Sequence, residues 1–336
     1  MDIYILLFVL LFCLCFVRKN IYCYIVVYFI LFFIGSLRGI DVGTDTAHYE
    51  ERYRIINSGA DELEYILGFV EPGWVFINYW CGQIFNDYRS TLYISMFLAL
   101  TPLFLRSWKI CDNPFHVLFF YVALYFYYNT FNITRQLIAI SIIIFIYPFL
   151  EKGYIKKFSL GVLIAMLFHY SAIICLFYPI IIKKVNINVV NSATILMVSY
   201  ICGLYILPQL LPSLPFFGRY SVYLMDGVGS GSITRILLNV FFIFIIATSK
   251  KHKVNNYLKL FFVGIVSYNL FAFSSAVGRV SLYFTCMQLL LFANIDSSFS
   301  LNRCVLKLFV FLYATIYYFT MLNANSCEIV PYKLWE

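Results

Sequence analysis

Long apolar runs alternate with short polar segments along the whole chain. Ten of the runs are close in length to a membrane-spanning helix, which needs about 20 apolar residues. They lie at roughly 3–17, 21–37, 91–105, 113–128, 133–150, 189–211, 235–249, 257–277, 279–295 and 303–322. Because apolar runs of this length are typical of transmembrane helices, the pattern predicts an all-α polytopic integral membrane protein, with residues 1–336 forming a single membrane domain.

Two further runs are interrupted by polar residues. The run at 69–85 contains Glu71-Pro72-Gly73, and the run at 158–182 carries His169 in its middle. If both runs cross the bilayer the chain has twelve spans, and five basic residues between 106 and 157 then lie outside, against the positive-inside rule. We favour ten spans with both runs re-entrant, which removes this conflict. Re-entrant backbone is tolerated only inside protein or beside a wet cavity, so this alternative predicts a cavity near His169.

The charged residues indicate which segments lie outside the cytoplasm. The segment 38–71 has eight acidic residues, three arginines and no lysine, so we interpret it as a first outer loop. A second outer loop is predicted at 212–234, which is rich in proline and glycine. In the favoured topology the lysine clusters lie inside and eight of the 11 arginines lie outside. Outer arginines suit bidentate recognition of phosphate or carboxylate, and the alternative is chance together with salt bridges to the loop acids.

Composition restricts the class of protein further. Hydrophobic residues make up 62% of the chain and charged residues 12%, whereas soluble domains have about 45–50% and about 25%. A soluble protein of this composition could not cover its surface with polar groups, so the lipid bilayer is an expected partner. The net charge of +8 resides in short clusters between apolar runs, which is typical of membrane anchors and argues against a nucleic-acid partner. The ten cysteines form no CxxC motif, and we predict no metal site from them.

The motif at 38–49 is the first candidate for chemistry. Its polar side chains can bind sugar hydroxyls or a metal ion, and its glycines allow a tight loop: these side chains are Asp41, Asp45, His48 and Tyr49. The alternative interpretation is the start of a helix, with Thr44 or Thr46 as the N-cap. The two interpretations are compatible.

Three further motifs place ionisable side chains beside or inside apolar runs. Glu71 is either an acid or base with a raised pKa, or a charge at a helix N-terminus. Arg135, followed by Gln136, is either a functional cation at the start of a helix or a residue that reaches the lipid phosphates. His169 is either a proton carrier or a structural histidine bonded to Ser171.

Taken in order, these motifs resemble those of the EpsG/Wzy-like family of bacterial polysaccharide polymerases. The resemblance spans about residues 38–284 and rests on Arg38…Gly43-Thr44-Asp45-Thr46…Tyr49, Glu71-Pro72-Gly73, Arg135-Gln136, Phe168-His169-Tyr170-Ser171-Ala172 and Arg279…Tyr283-Phe284. It implies an O-antigen or surface polysaccharide polymerase, which is a glycosyltransferase of lipopolysaccharide biosynthesis. Such an enzyme transfers a growing glycan, linked through pyrophosphate to undecaprenol, onto a lipid-linked repeat unit at the periplasmic face of the bacterial inner membrane.

The resemblance also implies partners, and it places the outer loops 38–71 and 212–234 in the periplasm. The expected substrate is undecaprenyl-pyrophosphate-linked oligosaccharide, and a chain-length regulator protein is a further partner compatible with this activity. No cofactor is expected, although the use of a divalent metal stays open. Two alternative functions share much of this chemistry: a flippase or transporter of lipid-linked oligosaccharide, and an O-antigen ligase.

Within this resemblance the candidate residues take two roles. His169, Glu71 and Asp45 are the candidate catalytic residues, and His169 is expected to act as the base or close to the phosphate. The predicted substrate-binding residues supply cations, hydroxyls and an amide: Arg38, Arg135, Arg279, Thr46, Tyr49, Gln136 and Tyr283. A leaving pyrophosphate needs cations and an attacking sugar hydroxyl needs a base, so this set fits the implied reaction.

Overall fold

The computed structural model describes residues 1–59, 68–210, 232–248, 255–295 and 303–335. The described residues form helices and connecting segments, and they contain no strand beyond one isolated bridge. Five of these helices are long and apolar enough to cross a membrane, and three shorter apolar helices accompany them. The prediction of an all-α polytopic membrane protein is therefore confirmed.

Contacts between helices divide the chain into two compact units, Met1–Leu176 with Ala314–Glu336, and Phe177–Tyr313. The first unit contains α1 Asp2–Leu14, α2 Ile21–Ser36, α3 Thr46–Ser58, α4 Pro72–Phe85, α5 Arg89–Ile110, α6 Phe115–Ala123, α7 Phe126–Asn132, α8 Thr134–Glu151 and α9 Ile155–Met166. The second contains α10 Tyr178–Lys184, α11 Val189–Leu210, α12 Ser232–Thr248, α13 Asn256–Leu270 and α14 Ser275–Ala293. The boundary falls inside the last helix, α15 Arg303–Asn323, whose residues up to Tyr313 belong to the second unit and whose residues from Ala314 belong to the first. That the chain forms a single membrane domain stays a prediction.

The helix bounds follow the predicted apolar runs, with three interruptions. The run at 257–277 is broken after α13, and α14 begins inside it at Ser275. The run at 113–128 is broken between α6 and α7, where Tyr125 has a φ of 64°. The run at 158–182 is broken after α9, and a 3₁₀ helix, Tyr170–Phe177, follows the break. His169 therefore lies outside regular helix. The number of crossings and the re-entrant course of these segments stay predictions, and most of the predicted loop 212–234 lies outside the described residues.

An amphipathic helix, α3, lies inside the segment predicted as the first outer loop. Its apolar side chains Tyr49, Tyr53 and Ile56 recur every three to four residues and face α4. Ring centroids are 5.1 Å apart between Tyr49 and Trp74, and 5.6 Å apart between Tyr53 and Tyr88. The same buried cluster contains Trp74, in the first turn of α4, and Ile138, near the start of α8, so these aromatic side chains lie beside the first turns of both helices.

The end of the chain is bound to the segment that follows α2. The Gly39 N–H donates to the Lys333 carbonyl at 2.8 Å, and the Trp335 N–H donates to the Leu37 carbonyl at 2.9 Å. The Lys333 ammonium also lies 3.1 Å from the Asp41 carboxylate. The C-terminal segment therefore fixes the start of the motif at 38–49.

The side chain of Asn132, the last residue of α7, binds both the same motif and the C-terminal segment. Its Oδ1 accepts from the Thr44 N–H at 2.9 Å, and its Nδ2 donates to the Cys327 carbonyl at 3.2 Å. Beside it, Gly43 has a φ of +96°, and a Cβ there would lie 2.8 Å from Asn132 Oδ1. This position needs glycine, both for its backbone conformation and for its lack of a side chain.

We expect Gly43→Ala to lower the midpoint of thermal unfolding much more than Gly59→Ala does. Both residues have positive φ, a conformation that costs an L-residue about 1–2 kcal/mol. A Cβ at Gly59 meets nothing within 4 Å, whereas at Gly43 it meets Asn132 and Phe131. Thermal unfolding of the purified protein in detergent measures both shifts, and equal shifts would contradict the packing argument.

Candidate functional site

Three of the predicted motifs meet at one carboxylate, that of Glu71. Its Oε1 lies 2.7 Å from His169 Nδ1, and its Oε2 forms an ion pair with Arg135 Nη1. The Glu71 side chain is only 4% exposed, whereas Arg135 is 19% and His169 29% exposed. A buried carboxylate therefore holds a histidine and an arginine that solvent can reach. We call these three residues the Glu71 cluster.

Each member of the Glu71 cluster lies at a helix end or a helix break. Pro72 occupies the first position of α4, where a missing N–H costs nothing, so Glu71 is the extended residue just before the helix. Arg135 is in the first turn of α8, and His169 lies in the break after α9. Side chains at such positions do not belong to the apolar faces through which the helices pack. The three polar side chains can therefore form hydrogen bonds and ion pairs with each other.

Backbone contacts join the Glu71 and His169 motifs directly. The Gly73 N–H donates to the Leu167 carbonyl at 2.8 Å, and a Cβ on Gly73 would lie only 2.7 Å from that carbonyl oxygen. The Tyr170 N–H points at Glu71 Oε1 from 3.4 Å. The distance between the carboxylate and the imidazole is therefore set by a close backbone approach that only glycine allows.

The partners of Glu71 decide its charge. Burial by itself raises the pKa of this carboxyl, but the hydrogen bond from His169 and the positive charge of Arg135 together hold the pKa below its usual value. Of the two interpretations of Glu71, the one with a raised pKa is thus wrong, because two favourable partners outweigh the cost of burial. Since an ionised carboxylate can only accept, the proton of a neutral imidazole resides on Nδ1, and Nε2 of His169 carries a free lone pair.

An aromatic pair, Tyr49 and Trp74, lies beside the Glu71 cluster. The Arg135 guanidinium lies 6.0 Å from the centre of the Tyr49 ring, and the Tyr49 hydroxyl donates to the Asn132 carbonyl at 2.9 Å. Burial raises the pKa of Tyr49, with Arg135 opposing and Asp45 adding to the rise, so both charges lie near this phenol. Trp74 packs on Tyr49, and no sequence motif had indicated that role.

The comparison with known proteins identifies the family. A model of the EpsG family matches residues 20–334, a range that includes the whole Glu71 cluster. The chain belongs to the EpsG family. No curated protein and no solved structure matches it. Membership of the EpsG family, together with the apolar helices, makes the chain a membrane protein of polysaccharide biosynthesis.

In this EpsG family member, Arg38 and Thr46 are buried at the base of the 38–49 motif. Arg38 is 1% exposed, donates to the Gly35 carbonyl and lies over the Phe131 ring at 4.6 Å. Burial lowers its pKa. The Thr46 hydroxyl donates to the Val42 carbonyl at 2.8 Å. These contacts position the motif, and a substrate-binding role for Arg38 or Thr46 stays a prediction.

The helix predicted within this motif is present, but its predicted cap is not. α3 begins at Thr46 with Asp45 as the N-cap residue, and no side chain caps it. The hydroxyl of Thr44 donates to Asp45 Oδ1 at 3.1 Å instead of reaching a helix N–H. Asp45 is half-buried near Tyr49, which leaves it available to a ligand.

The remaining predicted residues have separate surroundings. Gln136 is buried beside Arg135 in α8. Arg279 and Tyr283 belong to the second unit, where Arg279 is exposed and the buried Tyr283 accepts a hydrogen bond on its carbonyl from the Tyr178 hydroxyl. The contribution of Gln136, Arg279 and Tyr283 to a common site stays a prediction.

No metal site forms among the described residues. There, no three His, Cys, Asp or Glu side chains converge in a way that could hold an ion. In the motif at 38–49, Asp41 pairs with Lys333 and His48 lies 3.7 Å from Glu51, so these two candidate ligands do not converge with Asp45 on one ion.

We expect the Glu71 cluster to stabilise the fold at neutral pH and to do so less in acid. Since the pKa of Glu71 is lower in the folded protein, its contribution is complete above the unfolded value of about 4.3 and is lost as the pH falls through the folded value. The difference in unfolding midpoint between wild type and Glu71→Gln should therefore shrink below about pH 4.5. The exposed Glu51 gives the control Glu51→Gln, and a Glu71→Gln difference that grows in acid would contradict this expectation.

Proposed function

We propose that this EpsG family chain is a polysaccharide polymerase of the bacterial inner membrane. It transfers a glycan linked to undecaprenyl pyrophosphate onto a lipid-linked repeat unit, at the periplasmic face. The observation that supports this most is the Glu71 cluster, in which one buried carboxylate holds a base and a guanidinium side by side. The reaction needs these two groups: one for the proton of the attacking hydroxyl and one for the charge of the departing pyrophosphate.

His169 is the proposed base. A hydroxyl of the acceptor sugar attacks the anomeric carbon of the donor glycan, and its proton passes to Nε2 of His169. The new glycosidic C–O bond forms while the C–O bond from the anomeric carbon to the pyrophosphate breaks. Arg135 stabilises the negative charge that develops on undecaprenyl pyrophosphate as it leaves.

Glu71 is a positioning residue in this mechanism. Its carboxylate keeps the proton of the neutral imidazole on Nδ1, so that Nε2 faces the substrate, and its charge compensates the imidazolium that forms. A carboxylate with a lowered pKa is itself a poor base. Asp45 and Tyr49, near the arginine, are the proposed contacts for the hydroxyls of the acceptor sugar.

The other predicted binding residues are also proposed to contact the substrates or to support their binding. Arg279 is a second proposed cation for the pyrophosphate, and Tyr283, Gln136, Arg38 and Thr46 are proposed to support the bound substrates. A chain-length regulator is a proposed protein partner.

The glycan phenotype of a deletion strain distinguishes the polymerase from its two alternatives. Loss of a polymerase leaves single repeat units on the lipid A core. Loss of a ligase leaves the core unmodified while lipid-linked polymer accumulates, and loss of a flippase leaves no repeat unit on the outer face. We expect the first pattern, and either of the other two would reject the proposed activity.

Complementation of that strain tests the roles of His169 and Arg135. We expect His169→Gln to lower polymer formation about 10²-fold or more, the contribution that a general base commonly makes. We expect Arg135→Lys to fail as well, because lysine keeps the charge but loses the planar fork that grips a phosphate. Polymer length and amount on gels, at matched membrane abundance, provide the measurement.

Two matched controls separate these roles from general damage. His48→Gln changes a histidine that is 72% exposed, and Arg89→Lys changes an arginine paired with Asp87 on the surface. Both should complement fully. If His169→Gln and Arg135→Lys complement as well as these controls, the proposed centre is wrong.

We expect Gly73→Ala to lower polymer formation through geometry alone. Its Cβ would lie 2.7 Å from the Leu167 carbonyl oxygen, so α4 and the His169 break must separate, and the carboxylate loses its hold on the imidazole. Gly68→Ala is the control, because a Cβ there meets nothing within 4 Å. Equal polymer formation by the two variants would show that this close approach does not set the site.

A further inference from the structure

The carboxylate of Glu71 serves two partners, one with each oxygen. Oε1 accepts from His169 Nδ1 at 2.7 Å, while Oε2 is held by Arg135 Nη1. Two positive or polarised groups therefore share one negative charge. Whatever weakens one of these contacts strengthens the other, because the attraction of the carboxylate for each partner is reduced by the presence of the second.

Arg135 has capacity for another anion. A guanidinium carries five N–H donors. In Arg135, the Nε is buried without a hydrogen-bond partner. The side chain is 19% exposed and lies in the first turn of α8, where the helix dipole also favours negative charge. A phosphate that approached this end of α8 would meet the exposed part of the guanidinium and would compete with Glu71 for the arginine.

No other polar group named around the cluster joins the arginine to the histidine as Glu71 does. From α3, Tyr49 faces Arg135, with its hydroxyl donating to the Asn132 carbonyl, and Asp45 lies near that phenol. From the 3₁₀ helix, the Tyr170 N–H faces Glu71 Oε1. Among these groups, Glu71 alone contacts both the arginine and the histidine.

We propose that the pyrophosphate of the donor takes Arg135 over from Glu71, and that the released carboxylate then makes His169 a stronger base. This inference rests on the proposed function and concerns its order of events. The acceptor hydroxyl is deprotonated efficiently only when a leaving group is already bound to the arginine. Glu71 thus transmits the presence of the donor to the base, as a positioning residue that touches neither substrate.

Titration of His169 with inorganic pyrophosphate as the probe tests this coupling. The full chain is reconstituted in lipid nanodiscs with ¹³C-labelled histidine, and each of its four histidines is followed by NMR between pH 5 and 9. The His169 signal is assigned by its absence in His169→Gln. We expect saturating pyrophosphate to raise the titration midpoint of His169 by about one pH unit, a tenfold gain in proton affinity, and to leave exposed His48 unchanged.

The variant Glu71→Gln separates the effect that the carboxylate transmits from the direct effect of the pyrophosphate charge on His169. Bound pyrophosphate raises the midpoint of any nearby histidine by its own charge, so some shift remains in Glu71→Gln. If the carboxylate transmits the effect, the shift in this variant is less than half that of the wild type. Arg135→Lys should weaken pyrophosphate binding, measured by calorimetry, whereas Arg89→Lys should not.

Three results would overturn the coupling: equal shifts in wild type and Glu71→Gln, a wild-type midpoint that stays or falls, or failure of pyrophosphate to bind. The wild-type titration alone decides the direction, so the inference stays testable if Glu71→Gln does not fold. Failure here is distinct from failure of the proposed function. If polymer formation is lost in His169→Gln and Arg135→Lys while the midpoint does not move, the polymerase stands and only the coupling is wrong.

Discussion

One buried negative charge constrains the architecture around it. The Glu71 side chain is 4% exposed, and a carboxylate so far from water is costly unless donors and cations surround it. Arg135 and His169 supply these partners, from positions 64 and 98 residues further along the chain. The start of α4, the start of α8 and the break after α9 are therefore held together, because a buried carboxylate that lost both partners would be costly.

Backbone contacts and buried polar contacts hold the segments that carry the Glu71 cluster in place. Gly73 brings two main chains into contact, and Asn132 ties the 38–49 motif to the C-terminal segment. Neither residue takes part in the proposed chemistry. Each restricts where Glu71 and Tyr49 can lie, and so the reactive side chains are held by elements that do not need to move.

The apolar pattern predicted the helices well, because hydropathy along a membrane helix is a local property of the chain. It also located the interruption at His169. The N-cap expected at Thr44 or Thr46 was wrong, since those hydroxyls bond to Asp45 and Val42 instead. The sequence pattern predicted all three members of the Glu71 cluster as candidates, but it did not indicate that Trp74 packs on Tyr49.

By itself the sequence determined the membrane class, the family, the positions of most helices and the identity of the ionisable residues at their ends. These follow from runs and motifs that are contiguous in the chain. Only the tertiary structure decided that Glu71 lies between Arg135 and His169, and therefore that its pKa is lowered and not raised. The charge state of a buried group depends on its neighbours in space, and residues separated by more than 60 positions become neighbours only when the helices pack.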